Sequence, residues 1–203
     1  MILAITLLVA AYLIGAIPFG LLIGRLVGAD VRQAGSGNIG ATNVGRVLGK
    51  KLGALTLVCD VAKGFLPVWL AAGLLPDTTA NREWLVMACG LATVVGHMFP
   101  LYLKFKGGKG VATALGVFLF ISPWSVLISL LVFSGALTAF RYVSVASLTA
   151  ALLIPLWLWL LGESPVILLT ALAIVLLIWF QHRSNIGRLL RGTEKGWKKS
   201  ESL

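Results

Sequence analysis

The chain has 203 residues, of which 59% are hydrophobic and only 12% are charged. A water-soluble domain carries about 25% charged residues, so this composition excludes a soluble fold and indicates membrane spans. The 17 lysines and arginines outnumber the 7 acidic residues, which gives a net charge of +10. Because these charges lie in short loops between apolar runs, we attribute the excess to cytoplasmic loops of a membrane protein and expect no nucleic-acid binding.

Apolar segments alternate with polar loops along the chain. The first lacks the basic residues that precede the apolar run of a signal peptide, and its first charge, Arg25, follows the run. We therefore interpret it as a membrane span with its N-terminus outside. The run 111–140 is long for one helix and contains Pro123, so we divide it. The predicted helices cover about 2–24, 52–76, 84–103, 111–121, 124–140, 143–161 and 165–181.

The basic residues decide how these helices are oriented. They concentrate in three stretches, 25–51, 104–110 and 183–203, and the last stretch includes Lys198 and Lys199. The positive-inside rule places the three stretches on one side of the membrane, which requires two helices in the divided run.

We therefore predict an all-α integral membrane protein that forms a single domain over 1–203. It has seven transmembrane helices, a periplasmic N-terminus and a cytoplasmic C-terminus in the bacterial inner membrane. Because 111–121 is short for a hydrocarbon core about 30 Å thick, we expect short or partial helices near the polar loops.

The first basic loop combines glycines with neutral polar side chains and an arginine. It matches the dinucleotide-binding pattern G-x-G-x-x-G, but no buried strand precedes it, which disfavours a nucleotide-binding fold. Glycines let successive N–H groups face one phosphate-sized concavity, and arginine adds a bidentate cation. The alternative is a turn that only joins two spans. We predict a substrate-binding loop formed by Gly35, Ser36, Gly37, Asn38, Thr42, Asn43 and Arg46.

The second basic loop has three glycines around Lys109, directly before a predicted helix. It is not a Walker P-loop, because Val111 and Ala112 stand where that motif needs lysine and serine or threonine. A helix N-terminus nevertheless favours anions. Lys104 and Lys106 fit an anchor at the lipid headgroups. We predict that Gly107, Gly108, Lys109 and Gly110 bind substrate.

The third polar region follows the last span. His182 and Asn185 are spaced i, i+3, which puts both side chains on one helical face, and Arg188 continues that face. Such a face can hold a hydroxyl or a phosphate. The alternative for His182 is a polar cap at the interface, and Arg183 and Arg191 suit headgroup contacts.

Two charged residues, Asp60 and Lys63, lie inside the second apolar segment at i, i+3. Charges at that depth are costly unless they are paired and often mark a functional site. We expect a pair that either braces helix packing or serves function, and we interpret His97 as a buried hydrogen-bonding residue. Cys59 and Cys89 lie in apolar segments without zinc-like spacing to histidine, so we expect neither a disulfide nor a metal site.

Taken together, the three motifs resemble those of the bacterial acyl-phosphate:glycerol-3-phosphate acyltransferases. The resemblance covers nearly the whole chain, and three motifs in order are specific. By contrast, the H-x-x-x-x-D motif of the large glycerolipid acyltransferases is absent. The segments are 35–43 with Arg46, 96–113 with its Gly96-His97-x-x-Pro100 start, and 182–189 followed by Gly192 and Glu194.

The resemblance implies a seven-helix enzyme that transfers an acyl group from acyl phosphate to the 1-hydroxyl of glycerol 3-phosphate, without a cofactor. The products are 1-acylglycerol 3-phosphate and phosphate, in the first committed step of phospholipid synthesis. The residues it implies are Ser36, Asn38, Arg46, Gly107, Gly108, Lys109, Gly110, His182 and Asn185. We assign the catalytic roles to Ser36, Arg46, Lys109, His182 and Asn185.

Two other functions would also account for a membrane protein with basic loops. A transporter of organophosphate anions would use the same cationic loops, but no repeat of the kind common in transporters is visible. A basic protein that only recruits lipids would not depend on Arg46 or Lys109. We expect a monomer in contact with membrane lipids, and transient contact with the enzyme that makes acyl phosphate stays open.

Overall fold

The computed structural model describes residues 1–197, so Lys198 and Lys199 of the predicted basic tail lie outside the described residues. Residues 1–197 contain helices and no strand. The α-helices are α1 (Ile2–Gly15), α2 (Phe19–Leu26), α3 (Ala41–Leu48), α4 (Lys50–Leu74), α5 (Arg82–Met98), α6 (Val111–Ile121), α7 (Pro123–Phe140), α8 (Val143–Leu160), α9 (Pro165–Gln181) and α10 (Arg183–Leu190), and a 3₁₀ turn covers Leu101–Leu103.

The helix lengths are those of a multi-pass membrane protein. Four helical stretches are long and apolar enough to cross a membrane, namely Lys50–Leu74, Arg82–Leu103, Pro123–Phe140 and Val143–Leu160. Two bent pairs raise this number to six if each pair is one span: α1 with α2 bends by 44°, and α9 with α10 bends by 54°. Because α6 has only 11 residues, a seventh span stays a prediction. The orientation of the two termini also stays a prediction.

Proline explains one break that was predicted and one that was not. The predicted division of 111–140 is confirmed, since α6 ends at Ile121 and Pro123 begins α7. The prediction of one helix over 2–24 is wrong, because the helix stops at Gly15 and restarts at Phe19, directly after Pro18. Proline lacks the N–H of one helical hydrogen bond and so favours a break, although α4 and α8 continue through Pro67 and Pro155.

The chain divides into two compact units, Met1–Ile121 and the part from Ser122 onward. In the first unit, α4 packs against α3, α5 and α6, while α1 packs against α5. Backbones meet closely at small residues: a methyl group added at Gly64 would overlap the backbone of Thr113. Small residues allow such close helix packing within a membrane. This close packing of α4 and α6 fixes the start of α6, next to the second basic loop.

In the second unit, α8 packs against both α7 and α9. The buried side chains of this unit include hydroxyl groups, for example those of Ser129 on α7 and Ser147 on α8. The short helix α10 continues from α9 after the bend at His182.

Candidate active site

The first polar loop is organised around the side chain of Asn43, which lies on α3 and is only 1% exposed. Its Oδ1 accepts a hydrogen bond from the Ser36 backbone N–H at 2.7 Å. Its Nδ2 lies 2.9 Å from the carbonyl oxygens of Val31 and Asn38 and 3.2 Å from that of Ala34. The sequence predicts a substrate contact for Asn43, whereas in the structure both its amide oxygen and its amide nitrogen form hydrogen bonds within the loop.

Glycine and asparagine complete this loop. Gly35 has φ +63°, and a methyl group there would overlap Oδ1 of Asn43. The Asn38 side chain accepts a hydrogen bond of 2.8 Å from the Gly40 N–H, just before α3 begins. The loop is therefore held by its own side chains and needs no partner to keep its shape.

The outward face of this loop is polar and cationic. Ser36, Thr42 and Arg46 are exposed, and the last two are one helical turn apart on α3. The nearby carboxylate of Asp30 binds Arg32 instead, with N–O distances between 2.5 and 3.2 Å. This hydrogen bonding lowers the pKa of Asp30 to about 2. Within residues 1–197, no carboxylate forms an ion pair with Arg46, so its guanidinium is suited to an external anion.

The second polar loop folds back onto the end of α5. The N–H of Gly107 donates to the Met98 carbonyl, and the N–H of Gly108 donates to the His97 carbonyl, both at 3.1 Å. A methyl group at Gly107 would overlap the His97 carbonyl oxygen, which explains why glycine is needed there. The half-buried Lys109 follows, and α6 begins two residues later. The loop thus presents a lysine beside a helix N-terminus, an arrangement that favours anions.

The two loops share a hydrophobic base. Ile39 and Val44 of the first loop belong to a buried cluster with Leu21 and Val31. Leu103, which directly precedes the second basic loop, packs against the same cluster. The structure therefore brings the bases of these two predicted motifs together within Met1–Ile121.

The third motif lies in the second unit. His182 is 2% exposed and occupies the bend between α9 and α10. Its Nδ1 lies 2.8 Å from the Ile178 carbonyl oxygen. Because a carbonyl oxygen only accepts hydrogen bonds, Nδ1 carries the proton, and Nε2 is the acceptor when the ring is neutral.

Glu194 joins the other residues of the third motif. Its Oε1 accepts hydrogen bonds from Asn185 at 2.5 Å and from Ser144 at 2.8 Å, while its Oε2 accepts from Arg188 at 2.7 Å. Burial raises the pKa of Glu194, but these hydrogen bonds outweigh burial and leave the pKa below its ordinary value. The Glu194 carboxylate thereby fixes the side chains of Asn185 and Arg188.

Glu194 belongs to the third motif, but the motif predicts no role for it, and no motif includes Ser144. A carboxylate within a strongly basic tail was a usable signal for Glu194. No comparable signal marked Ser144, which lies 50 residues away from Glu194 in the chain.

Asp60 and Lys63 form the predicted pair, with Lys63 Nζ 2.9 Å from Asp60 Oδ1 and both side chains 2% exposed. Lys63 also donates to the carbonyl oxygen of Ile17, in the break between α1 and α2, at 2.7 Å. Nδ1 of the buried His97 lies 3.7 Å from Asp60 Oδ1. Sequence reasoning did not connect His97 with this pair.

The fold and these sites define a helical, multi-pass integral membrane protein with preformed cationic loops suited to anions. Comparison with known proteins specifies the class further. Residues 5–192 match the family model for glycerol-3-phosphate acyltransferase. The glycerol-3-phosphate acyltransferase of Desulfotalea psychrophila is 62% identical over 189 residues, which cover 93% of this chain and 95% of the relative. That of Aquifex aeolicus is 47% identical over 191 residues, 94% of this chain and 97% of the relative.

Solved structures agree with the sequence matches. The chain is similar to the crystal structure of PlsY (YgiH), an integral membrane glycerol 3-phosphate acyltransferase. Its glycerol 3-phosphate form has a TM-score of 0.90 and 46% identity, with 96% of each chain covered. Its lysophosphatidic acid form has a TM-score of 0.87 and 46% identity, with 95% of this chain and 94% of that chain covered. This chain belongs to the glycerol-3-phosphate acyltransferase family and is an acyltransferase.

Proposed function

We propose that the enzyme transfers the acyl group of acyl phosphate to the 1-hydroxyl of glycerol 3-phosphate. The products are 1-acylglycerol 3-phosphate and inorganic phosphate. The observation that carries this proposal is the exposed Arg46 on its self-supported loop, while the loop's own acid, Asp30, binds Arg32. The PlsY forms with glycerol 3-phosphate and with lysophosphatidic acid support the choice of acceptor and product.

The first two loops hold the phosphate groups in this proposal. Arg46 and Lys109, with the N-terminus of α6 beside Lys109, neutralise charge on phosphate and on the carbonyl oxygen as the acceptor attacks. Ser36, Asn38 and Thr42 add neutral hydrogen-bonding groups. Asn43 contributes indirectly, because its amide maintains the loop.

The reaction needs no covalent intermediate with the protein, because acyl phosphate is a mixed anhydride with a good leaving group. The glycerol hydroxyl oxygen attacks the carbonyl carbon, the bond from that carbon to the phosphate oxygen breaks, and phosphate leaves. Holding both reactants in line supplies ~7–11 kcal/mol of the barrier. A phosphate oxygen of a substrate takes the hydroxyl proton.

His182 and Asn185 orient glycerol 3-phosphate, with Arg188 beside them. The hydrogen bond between Nδ1 of His182 and the Ile178 carbonyl fixes the orientation of the ring. A pH–rate profile tests this role. If a histidine-like limb disappears in His182→Ala while glycerol 3-phosphate binding is unchanged, His182 is the base and substrate-assisted proton transfer is wrong.

We further propose that the protein crosses the bacterial inner membrane seven times, with a periplasmic N-terminus and a cytoplasmic active site. The three basic stretches support this orientation. Single cysteines introduced at Lys104 and at Asp77 test it in intact spheroplasts. An impermeant maleimide should label position 77 and not position 104, and the reverse pattern contradicts the orientation.

The donor is tested with purified protein and glycerol 3-phosphate, offered acyl phosphate, acyl-CoA or acyl carrier protein in separate reactions. We expect one phosphate released for each lysophosphatidate formed, with acyl phosphate as the donor. Ester formation from acyl-CoA or acyl carrier protein alone contradicts the donor assignment. Uptake of labelled glycerol 3-phosphate into reconstituted vesicles without ester formation would support the transporter instead.

A further inference from the structure

We propose that Asp60, Lys63 and His97 are positioning residues that hold the glycine loop 107–110 in its phosphate-binding conformation. Asp60 and Lys63 fix the His97 ring from one side, and the ring supports Gly108 from the other. The inference rests on the proposed role of this loop in binding a substrate phosphate.

The first observation is a buried ion pair within a membrane helix. Asp60 and Lys63 have side chains only 2% exposed and 2.9 Å apart. A buried ion pair is weak evidence for stability, because desolvation of both charges offsets their attraction. Charged residues inside a membrane segment are rare and usually serve function. This pair is therefore expected to act on something beyond its own helix.

The second observation is that His97 connects this pair to the loop. His97 is 4% exposed, and its Nδ1 faces Asp60 Oδ1 at 3.7 Å. No hydrogen-bond partner lies within range of this Nδ1 among residues 1–197. At 3.7 Å the Asp60 carboxylate lies beyond hydrogen-bonding distance, so it acts on the ring through its charge, which favours a proton on Nδ1 and the ring orientation that faces Asp60.

The third observation is the contact between His97 and Gly108. A methyl group placed on Gly108 would overlap Nε2 of the His97 ring and crowd its Cε1 and Cδ2 atoms. The Gly108 N–H also donates to the His97 carbonyl at 3.1 Å. His97 therefore contacts the loop with both ring and backbone, one residue before Lys109. A tilt of the ring would displace Gly108 and change where Lys109 places its charge.

Lys63 also connects these residues to the break between α1 and α2. It donates to the Ile17 carbonyl at 2.7 Å, where the helical hydrogen bonding of α1 has stopped. This second bond fixes the Lys63 ammonium and, through the ion pair, the Asp60 carboxylate. The arrangement runs from Ile17 through Lys63, Asp60 and His97 to Gly108.

The experiment compares substrate kinetics with stability. We would measure kcat and KM for both substrates, and the thermal unfolding midpoint, in Asp60→Asn, His97→Gln and the neutral double variant Asp60→Asn/Lys63→Gln. Lys109→Ala supplies the reference pattern, because it shows which parameter depends on the lysine. Thr93→Val is the matched control. Thr93 is buried on α5 one turn before His97, and its hydroxyl donates to the Cys89 carbonyl of the same helix.

We expect the three variants to change the same parameter as Lys109→Ala, by about tenfold or more, since small misplacements of binding groups are costly. Thr93→Val should leave that parameter unaltered. The neutral double variant removes both charges together, so it keeps the test decisive if Asp60→Asn fails to fold. Lower unfolding midpoints with kcat and KM unaltered in folded variants would overturn the proposal.

A compensation test addresses the contact itself. Gly108→Ala should lose kcat/KM because its methyl group meets the His97 ring. Since both residues act through one contact, Gly108→Ala combined with His97→Ala should lose clearly less kcat/KM than the product of the two single losses. Losses that simply multiply would overturn the proposal. Failure of the proposed function is distinguishable, since the unaltered enzyme would then show no turnover with acyl phosphate.

Discussion

Replacement of Asn43 by alanine tests whether the first loop is held from within. The change removes the acceptor of the Ser36 N–H and the amide group that contacts the carbonyls of Val31, Ala34 and Asn38. The amide group has two hydrogens, so three hydrogen bonds are lost, at about 1 kcal/mol each. A loss of about 3 kcal/mol raises the open fraction of the loop roughly 100-fold.

Hydrogen–deuterium exchange resolved to the Ser36 amide measures that fraction directly. We expect exchange at Ser36 to accelerate roughly 100-fold in Asn43→Ala, together with a loss of kcat/KM. The adjacent Thr42→Ala serves as control for the exchange measurement, because Thr42 is exposed and forms none of these bonds. Unchanged protection of the Ser36 amide in Asn43→Ala would refute the reasoning.

Three further predictions concern the other motifs. Glu194 has a lowered pKa, so its hydrogen bonds stabilise the fold above its ordinary pKa of 4.5, and this stability is lost as pH falls through the pKa of the folded state. The unfolding midpoint should therefore fall less steeply below pH 4.5 in Glu194→Gln than in the unaltered enzyme. Equal slopes would contradict this. Arg46→Lys keeps the charge but loses the bidentate geometry, so it should retain more kcat/KM than Arg46→Ala and less than the unaltered enzyme; activity equal to that of the unaltered enzyme would show that one charge is enough. Gly107→Ala introduces a methyl group against the His97 carbonyl oxygen, so activity should fall sharply, and a fully active variant would mean that the loop does not lie on α5 as described.

The helices were largely predictable because membrane spans need long apolar runs that are visible without any tertiary information. Pro123 marked the division between α6 and α7 correctly. The break before Phe19 was missed because the apolar run continues through Pro18. The carbonyl of Ile17 at that break accepts a hydrogen bond from Lys63, a distant contact that no local pattern reveals.

Residue types in the motifs predicted candidate residues, but not which of them face outward. Asn43 and Thr42 are neighbours with similar polarity, yet one is buried at 1% exposure and the other is exposed. That difference arises from the turn of α3 against its loop, which spacing alone does not define. Likewise, Asp60 and Lys63 were paired correctly from their i, i+3 spacing, while the contact of His97 with Asp60 depends on how α5 packs against α4.

Arg46 and Lys109 of the two preformed loops are proposed to bind substrate phosphate. Steady-state kcat/KM with acyl phosphate and glycerol 3-phosphate, measured side by side in Arg46→Ala, Lys109→Ala and Arg32→Gln, tests this proposal most directly. Arg32 lies in the first basic stretch but pairs with Asp30, so it is the matched cation control. We predict a large loss of kcat/KM in the first two variants and near-normal activity in Arg32→Gln, whereas equal activity in all three would contradict the account.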